Sequence, residues 1–332
     1  MDLSTSYLGI ELPHPFMAGA GPMCDSDDGI RALEDGGAAA VVLRSLFQEQ
    51  IEQEALATFH STEDHANSQP EATSYFADPD EFVVGPAEYL ERIRKAKEII
   101  DIPVLGSLNG HTRGGWVEYA RLIQDAGADA LELNLYDIVT DPAESAADVE
   151  GRHVGIVRNV ARELTIPVAV KISPFYASPA NFARQLELAG ARAIVVFNRF
   201  FEADIDLEEL EMRSQMHLSD SREVLLRLRW LAVLSATLES ADLAVTGGVH
   251  RGADALKAIM CGARAVQIVA AVLQNGPHAI NHIKAEAGRW LEENEYHSLE
   301  QMRGSMNLQR TPDPTALKRG NYMHQLLTYD WS

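Results

Sequence analysis

Asparagine, lysine, arginine and paired glycines recur in this chain just past short apolar runs, positions for which a structural core has little use. In order they are Gly19-Ala20-Gly21, Arg44-Ser45, Asn109-Gly110-His111, Asn134 with Tyr136-Asp137, Lys171, Asn198, Gly247-Gly248, and Gln267 with Ala270-Ala271. Polar groups that leave water need partners, and a polar ligand is the economical one. Thr246-Gly247-Gly248-Val249, ahead of a helical pattern from about Gly252, lets bare backbone amides approach an anion. A glycine pair serves equally as a simple turn. The small residues Ala270 and Ala271 at the next such position favour a phosphate shared by two loops.

Those positions must be held by repeating elements, and one phrase does repeat. Gly36 to Leu43 (GGAAAVVL), AGADALEL from Ala126, AGARAIVV from Ala189 and CGARAVQI from Cys261 each read as a small-residue helix exit running into a buried strand. Phe16 to Ala20, Pro103 to Ser107, Pro167 to Ile172 and Asp242 to Thr246 are four more strand candidates between these copies. Apolar residues at three- and four-residue spacing predict helices over about 26–36, 86–99, 113–126, 145–164, 178–189, 220–239, 252–260 and 277–293. Ser26 and Ser178-Pro179 read as helix starts. Eight strand-helix units imply a parallel sheet closed into a (β/α)8 TIM barrel, with chemistry at the C-terminal ends of the strands. The runner-up is a doubly wound open sheet, disfavoured because neither glycine-rich turn has GxGxxG spacing. Two long connections follow strands 2 and 6, Phe47 to Gly85 and Phe200 to Ser219. The first reads as an excursion over the active site. The whole of 1–332 is expected to form one domain, with 294–332 a C-terminal extension.

Composition narrows the partners. Lys and Arg total 28 against 49 Asp and Glu, a net charge of −21 that repels nucleic acid and anionic lipid. Two cysteines, Cys24 and Cys261, make neither a disulfide framework nor a CxxC cluster. No export signal and no membrane-length apolar run is visible, so a cytoplasmic setting is expected. His60, His65, His111 and His153 lack metal-ligand spacing, and lone histidines in polar loops are usually solvated, so no metal site is expected. Asn109-Gly110-His111 also makes a good turn.

LSTSYLGIELPHPFMAGAG from Leu3, ELNL from Glu132, VKISP from Val170 and TGGVHRGADALKAIMCGARAVQI from Thr246 together resemble dihydroorotate dehydrogenases, the soluble class 1 branch above all. The resemblance runs in order along nearly the whole chain. It implies a (β/α)8 fold, bound FMN, oxidation of a CH–CH bond and a homodimer. By position, Ala20, Gly21, Ser45 and Asn134 would surround the flavin, and Lys171 would lie near the pyrimidine edge of its ring. Gly247, Gly248, Ala270 and Ala271 would hold the phosphate. An ammonium at Lys171 would stabilise the negative charge of reduced flavin, a salt bridge in the barrel mouth being the plainer alternative.

The same resemblance marks departures. Family members carry N-L-S-C-P-N, or serine for the cysteine, where this chain reads Asn134-Leu135-Tyr136-Asp137-Ile138-Val139. Asp137 therefore stands at the base position, flanked by apolar residues expected to desolvate it, and Tyr136 is a second candidate, as a donor. Asn134 and Asn198 would orient substrate, Val139 replaces a third asparagine, and Arg44 replaces a lysine and would meet an anionic group. Dihydroorotate or a related small ring is the expected substrate. The alternatives are reduction of another pyrimidine-like ring and a non-catalytic FMN-binding protein. With no cysteine cluster and no membrane helix, a soluble acceptor or partner subunit must take the electrons.

Overall fold

Runs of Val, Ile, Leu and Ala bounded by Gly and Pro pair as strands in the computed structural model, which describes residues 1–48, 50, 85–109, 116–199, 202–215, 217–319 and 321–329. An antiparallel hairpin comes first, β1 (Thr5–Tyr7) with β2 (Ile10–Leu12). The parallel strands are β3 (Phe16–Ala18), β4 (Val41–Val42), β5 (Leu46–Phe47), β6 (Val104–Asn109), β7 (Ala130–Asn134), β8 (Val168–Ile172) and β9 (Ala193–Val196). After a second hairpin, β10 (Glu202–Asp206) with β11 (Glu211–Gln215), come β12 (Asp242–Thr246) and β13 (Ala265–Ile268). The order β4-β3-β13-β12-β9-β8-β7-β6 returns on itself through β6 pairing with β4, so the sheet is a closed barrel.

The sequence reads strand 2 as one run to Leu43, whereas two short pieces, β4 and β5, both pair with β6. The chain leaves the sheet at Leu43-Arg44-Ser45, which brings Arg44 and Ser45 to the mouth. Seven of the predicted helices appear at Asp27–Asp35, Pro86–Ile99, Ala146–Glu163, Pro179–Leu188, Val224–Leu234, Gly252–Met260 and Ala279–Glu293. The remaining one is described over Trp116–Asp125. Ser26 caps the first by accepting the Gly29 N–H, but Ser178 makes no capping hydrogen bond, and Pro179 alone sets that start. Most of the connection after strand 2, with His60, His65, Tyr75 and Phe76, lies outside the described residues, as do Gly110 and His111.

Two apolar layers form because alternate residues of each strand face opposite ways. The outer layer joins strands to helices. The inner one is made of small residues, Ala130, Ala169, Ala193, Ala244 and Ala265, with Met17, Val42 and Leu105. Tyr7, Leu8 and Leu12 of the first hairpin pack into this inner layer and stopper the barrel at the N-terminal ends of its strands. The inward series continues upward with polar side chains, Glu132 and Asn134 after Ala130, Lys171 after Ala169, and Gln267 after Ala265.

Candidate functional site

Strand register sets Asn109 of β6, Asn134 of β7 and Lys171 of β8 side by side, and Thr246 of β12 beside Gln267 of β13. Glu132, one inward position below Asn134, is fully buried. The Lys171 ammonium donates to its Oε1 at 2.7 Å, and Gln267 Nε2 donates to its Oε2 at 2.5 Å. Charge and amide thus satisfy a carboxylate that would be very costly alone in the barrel. Sequence reading names Lys171 but passes over Glu132 as part of a motif, although an acid inside an apolar run is itself a signal of a buried partner. Nearby, Ser45 Oγ and Ser107 Oγ lie 2.7 Å apart.

Three polar atoms at this level are buried yet find no hydrogen-bond partner among the described residues: Asn134 Oδ1, Asn198 Nδ2 and Gln267 Oε1. Each such group costs about 1–3 kcal/mol unless something else meets it. Two acceptors, one donor and the nearby Lys171 ammonium match the alternating N–H and carbonyl edge of a flavin ring or a planar cyclic amide. The ring end of the site therefore fits FMN.

At the other end, Gly247 and Gly248 adopt the left-handed conformation, with φ of +82° and +80°. A Cβ on Gly248 would lie 2.4 Å from the backbone nitrogen of Val224, so helix Val224–Leu234 packs directly on the turn. That helix brings Arg227, whose Nε donates to Thr246 O at 2.5 Å and whose NH1 donates to Glu223 O at 2.7 Å. Burial lowers the pKa of this guanidinium. A cation thus lies against the glycine turn, and no local pattern in the sequence singles it out. Several amides in and beyond the turn already have protein acceptors, that of Gly248 among them. Gly248 N–H donates to Ser219 Oγ at 3.1 Å, His250 and Arg251 donate to Asp254 Oδ2, and Gly252 donates to Glu286 Oε2. At the end of the neighbouring strand β13, helix Ala270–Asn275 begins with amides that no helical carbonyl reaches. A phosphate here fits the Arg227 charge, the glycine turn and that helix start together.

Asp137 has company that the sequence does not announce. Arg152 NH2 donates to its Oδ2 at 2.7 Å, and the other end of the same guanidinium meets Glu144. Ile138 and Val139 are 61% and 38% exposed, so the apolar flank expected to dry Asp137 turns to solvent instead. His153, grouped from sequence with histidines expected to be solvated, is 1% exposed on helix Ala146–Glu163. Its Nε2 lies 3.5 Å from Asp137 Oδ2 and its Nδ1 3.0 Å from the Tyr176 hydroxyl. Burial pushes the His153 pKa down to about 4, Asp137 opposing and Arg152 assisting that shift. Burial raises the Tyr176 pKa, and its ring stacks on Phe182 with centroids 4.0 Å apart. Arg152, His153 and Tyr176 escape sequence reading because each is brought in by an element that the motif around Asn134 does not include.

Arg44, the expected anion contact, is half-exposed and paired with Asp25 at 2.5 Å, while Arg92 approaches the same carboxylate at 3.7 Å. Ala20 packs against the inner apolar layer, and a Cβ on Gly21 would lie 3.0 Å from Val269 Cγ1.

A family model described as dihydroorotate dehydrogenase matches residues 2–291. The catalytic subunit of dihydroorotate dehydrogenase B (NAD(+)) from Thermoplasma acidophilum is 26% identical over 318 residues, spanning 91% of this chain and 98% of that protein. The NAD-dependent dihydropyrimidine dehydrogenase subunit PreA of Escherichia coli K12 is 25% identical over 326 residues, 92% of this chain and 77% of the relative. A putative dihydroorotate dehydrogenase A (fumarate) from Aeropyrum pernix is 30% identical over 233 residues, 66% of this chain and 72% of the relative.

Proposed function

Since the chain belongs to the dihydroorotate dehydrogenase family, we propose that it is an FMN-dependent oxidoreductase acting on a CH–CH bond of a small, polar, ring-shaped substrate. The observation that carries this reading is the set of unsatisfied buried atoms on Asn134, Asn198 and Gln267 next to the Lys171 ammonium. A site that leaves three polar groups unpaired is built for a ligand that pairs them.

Ala20, Gly21, Ser45, Asn134 and Lys171 would hold the ring of FMN, and Gly247, Gly248, Ala270 and Ala271 its phosphate, with Arg227 behind. When bound, FMN supplies the acceptor for hydride. Asn134 and Asn198 orient the substrate ring, and Arg44 meets its anionic group after exchanging Asp25 for it. Asp137 accepts the proton from one carbon as hydride leaves the other, so a C–C single bond becomes a double bond and two electrons depart with the hydride. Tyr136 stands beside it as a donor to the substrate. A soluble acceptor or a partner subunit takes the electrons onward. The relatives that are named as a catalytic subunit or a subunit support the second.

Dihydroorotate is the first compound to try. A second reading, reduction of another pyrimidine-like ring, is favoured by the dihydropyrimidine dehydrogenase relative and by Asp137 and Val139 standing where the family carries other residues. The purified protein is expected to be yellow and to bleach anaerobically with one class of dihydropyrimidine. Asp137→Asn should slow that bleaching by about 10²- to 10⁴-fold, the usual worth of a general base. A colourless protein that takes up no FMN sinks the flavin assignment, and full-speed bleaching by Asp137→Asn sinks the base.

A further inference from the structure

We propose that His153 and Tyr176 form a relay that carries the substrate proton from Asp137 to solvent. The inference rests on Asp137 acting as the base. Three groups from three elements stand in line: Asp137 beyond β7, His153 on helix Ala146–Glu163 and Tyr176 on the loop after β8. One ring nitrogen of His153 faces the Asp137 carboxylate at 3.5 Å and the other lies 3.0 Å from the Tyr176 hydroxyl. The histidine is 1% exposed, while Tyr176 is half-buried and is the less enclosed of the two, so it forms the outer end of the line. Among the described residues His153 Nε2 has no hydrogen-bond partner. A buried imidazole nitrogen left unpaired 3.5 Å from a carboxylate is costly as architecture. It is well placed to receive a proton once Asp137 holds one.

The surroundings favour transit over storage. Arg152, on the same helix, holds Asp137 at 2.7 Å and is balanced by Glu144, and Glu150 adds negative charge towards Tyr176. On the far side the ring meets the aromatic rings of Phe182 and Tyr176. A cation beside the ring and apolar walls around it keep imidazolium short-lived, so a proton taken at Nε2 is promptly lost from Nδ1. In the balanced step, the proton on Asp137 passes to Nε2, the Nδ1 proton passes to the Tyr176 oxygen, and the Tyr176 hydroxyl proton passes to water. One proton enters, one leaves and no electrons move. The neutral ring then re-equilibrates its tautomer before the next turnover.

His153→Gln keeps a polar side chain of similar reach but cannot shuttle a proton. In the FMN-loaded enzyme it should leave the first, single-turnover bleaching within about twofold of wild type while slowing steady-state turnover by at least about 10²-fold, the low side of what a positioned proton carrier contributes. Tyr176→Phe, which preserves the stack on Phe182, should slow steady state in the same way. A readout independent of flavin is the NMR titration of the His153 ring. Asp137→Asn removes the facing negative charge and should move that titration to lower pH. If Asp137→Asn stops bleaching but His153→Gln turns over at the wild-type rate, the relay is overturned and the base stands. If Asp137→Asn bleaches normally, the base itself fails. An unmoved His153 titration in Asp137→Asn overturns the coupling on which the relay depends.

Discussion

Lys171 and Glu132 show how a single residue is misjudged when its partner is unseen. From sequence, Lys171 is either a cation that stabilises reduced flavin or one half of a salt bridge in the barrel mouth, and no partner is named for the second role. With Glu132 bound at 2.7 Å the two form a buried pair of nearly zero net charge, so Lys171 offers full stabilisation to a developing anion only as Glu132 is shared with Gln267. Breaking a buried pair on one side costs about 3–5 kcal/mol, whereas removing both charges is often close to neutral. Lys171→Met and Glu132→Gln are each expected to lower the urea midpoint strongly, and the double variant to recover most of the loss. Additive losses would show that the two do not act as a pair. The candidate residues that sequence does reveal, Asn134, Lys171, Asn198 and the glycine turn, sit at strand ends, where position along the chain predicts position in space. Arg152, His153, Tyr176 and Arg227 come from helix faces and loops, where it does not.

Elements were legible where their pattern was long. Every helix with two or more turns of apolar spacing between strands 1 and 8 is present, because burying one face against a sheet imposes that period. The hairpins β1–β2 and β10–β11 and the break between β4 and β5 were not legible, since the hairpin strands lack the continuous apolar run that marks the barrel strands and β4 and β5 are only two residues each. The turn after β12 illustrates what an element demands of its neighbour. Gly248 combines a left-handed backbone with contact against the backbone of Glu223 and Val224, whereas Gly9 has a similar φ of +77° and, among the described residues, no atom within 4 Å of where a Cβ would stand. Gly9→Ala should therefore cost only the conformational strain of about 1–2 kcal/mol. Gly248→Ala should cost clearly more and loosen FMN as well, because the helix that carries Arg227 must move. Thermal melts of the two variants, with flavin retention measured alongside, make the comparison; equal losses would mean that the helix does not brace the turn.

At the scale of the whole molecule, closure of the sheet leaves, among the described residues, the C-terminal ends of the strands as the one unfilled end, since the first hairpin fills the other. That hairpin is pinned from several directions. Thr5 Oγ1 donates to Arg264 O at 3.1 Å, the Leu8 N–H donates to Asp242 Oδ2 at 2.8 Å, and Arg303 joins Thr5 Oγ1 to the carbonyl of Ala263. Arg303→Met should release this clasp without touching the site, so amide exchange is expected to accelerate over residues 5–12 while the strands stay protected. Uniform exchange across the barrel would argue against a separate stopper. Near the same place Asp2 bonds to the backbone at His297 and Leu299. Residues 5–12 leave the ribosome well before Asp242, Ala263, Arg264 and residues 297–303, so the hairpin waits for every group that fastens it, and the floor of the vessel is tied down only after most of its wall has been made.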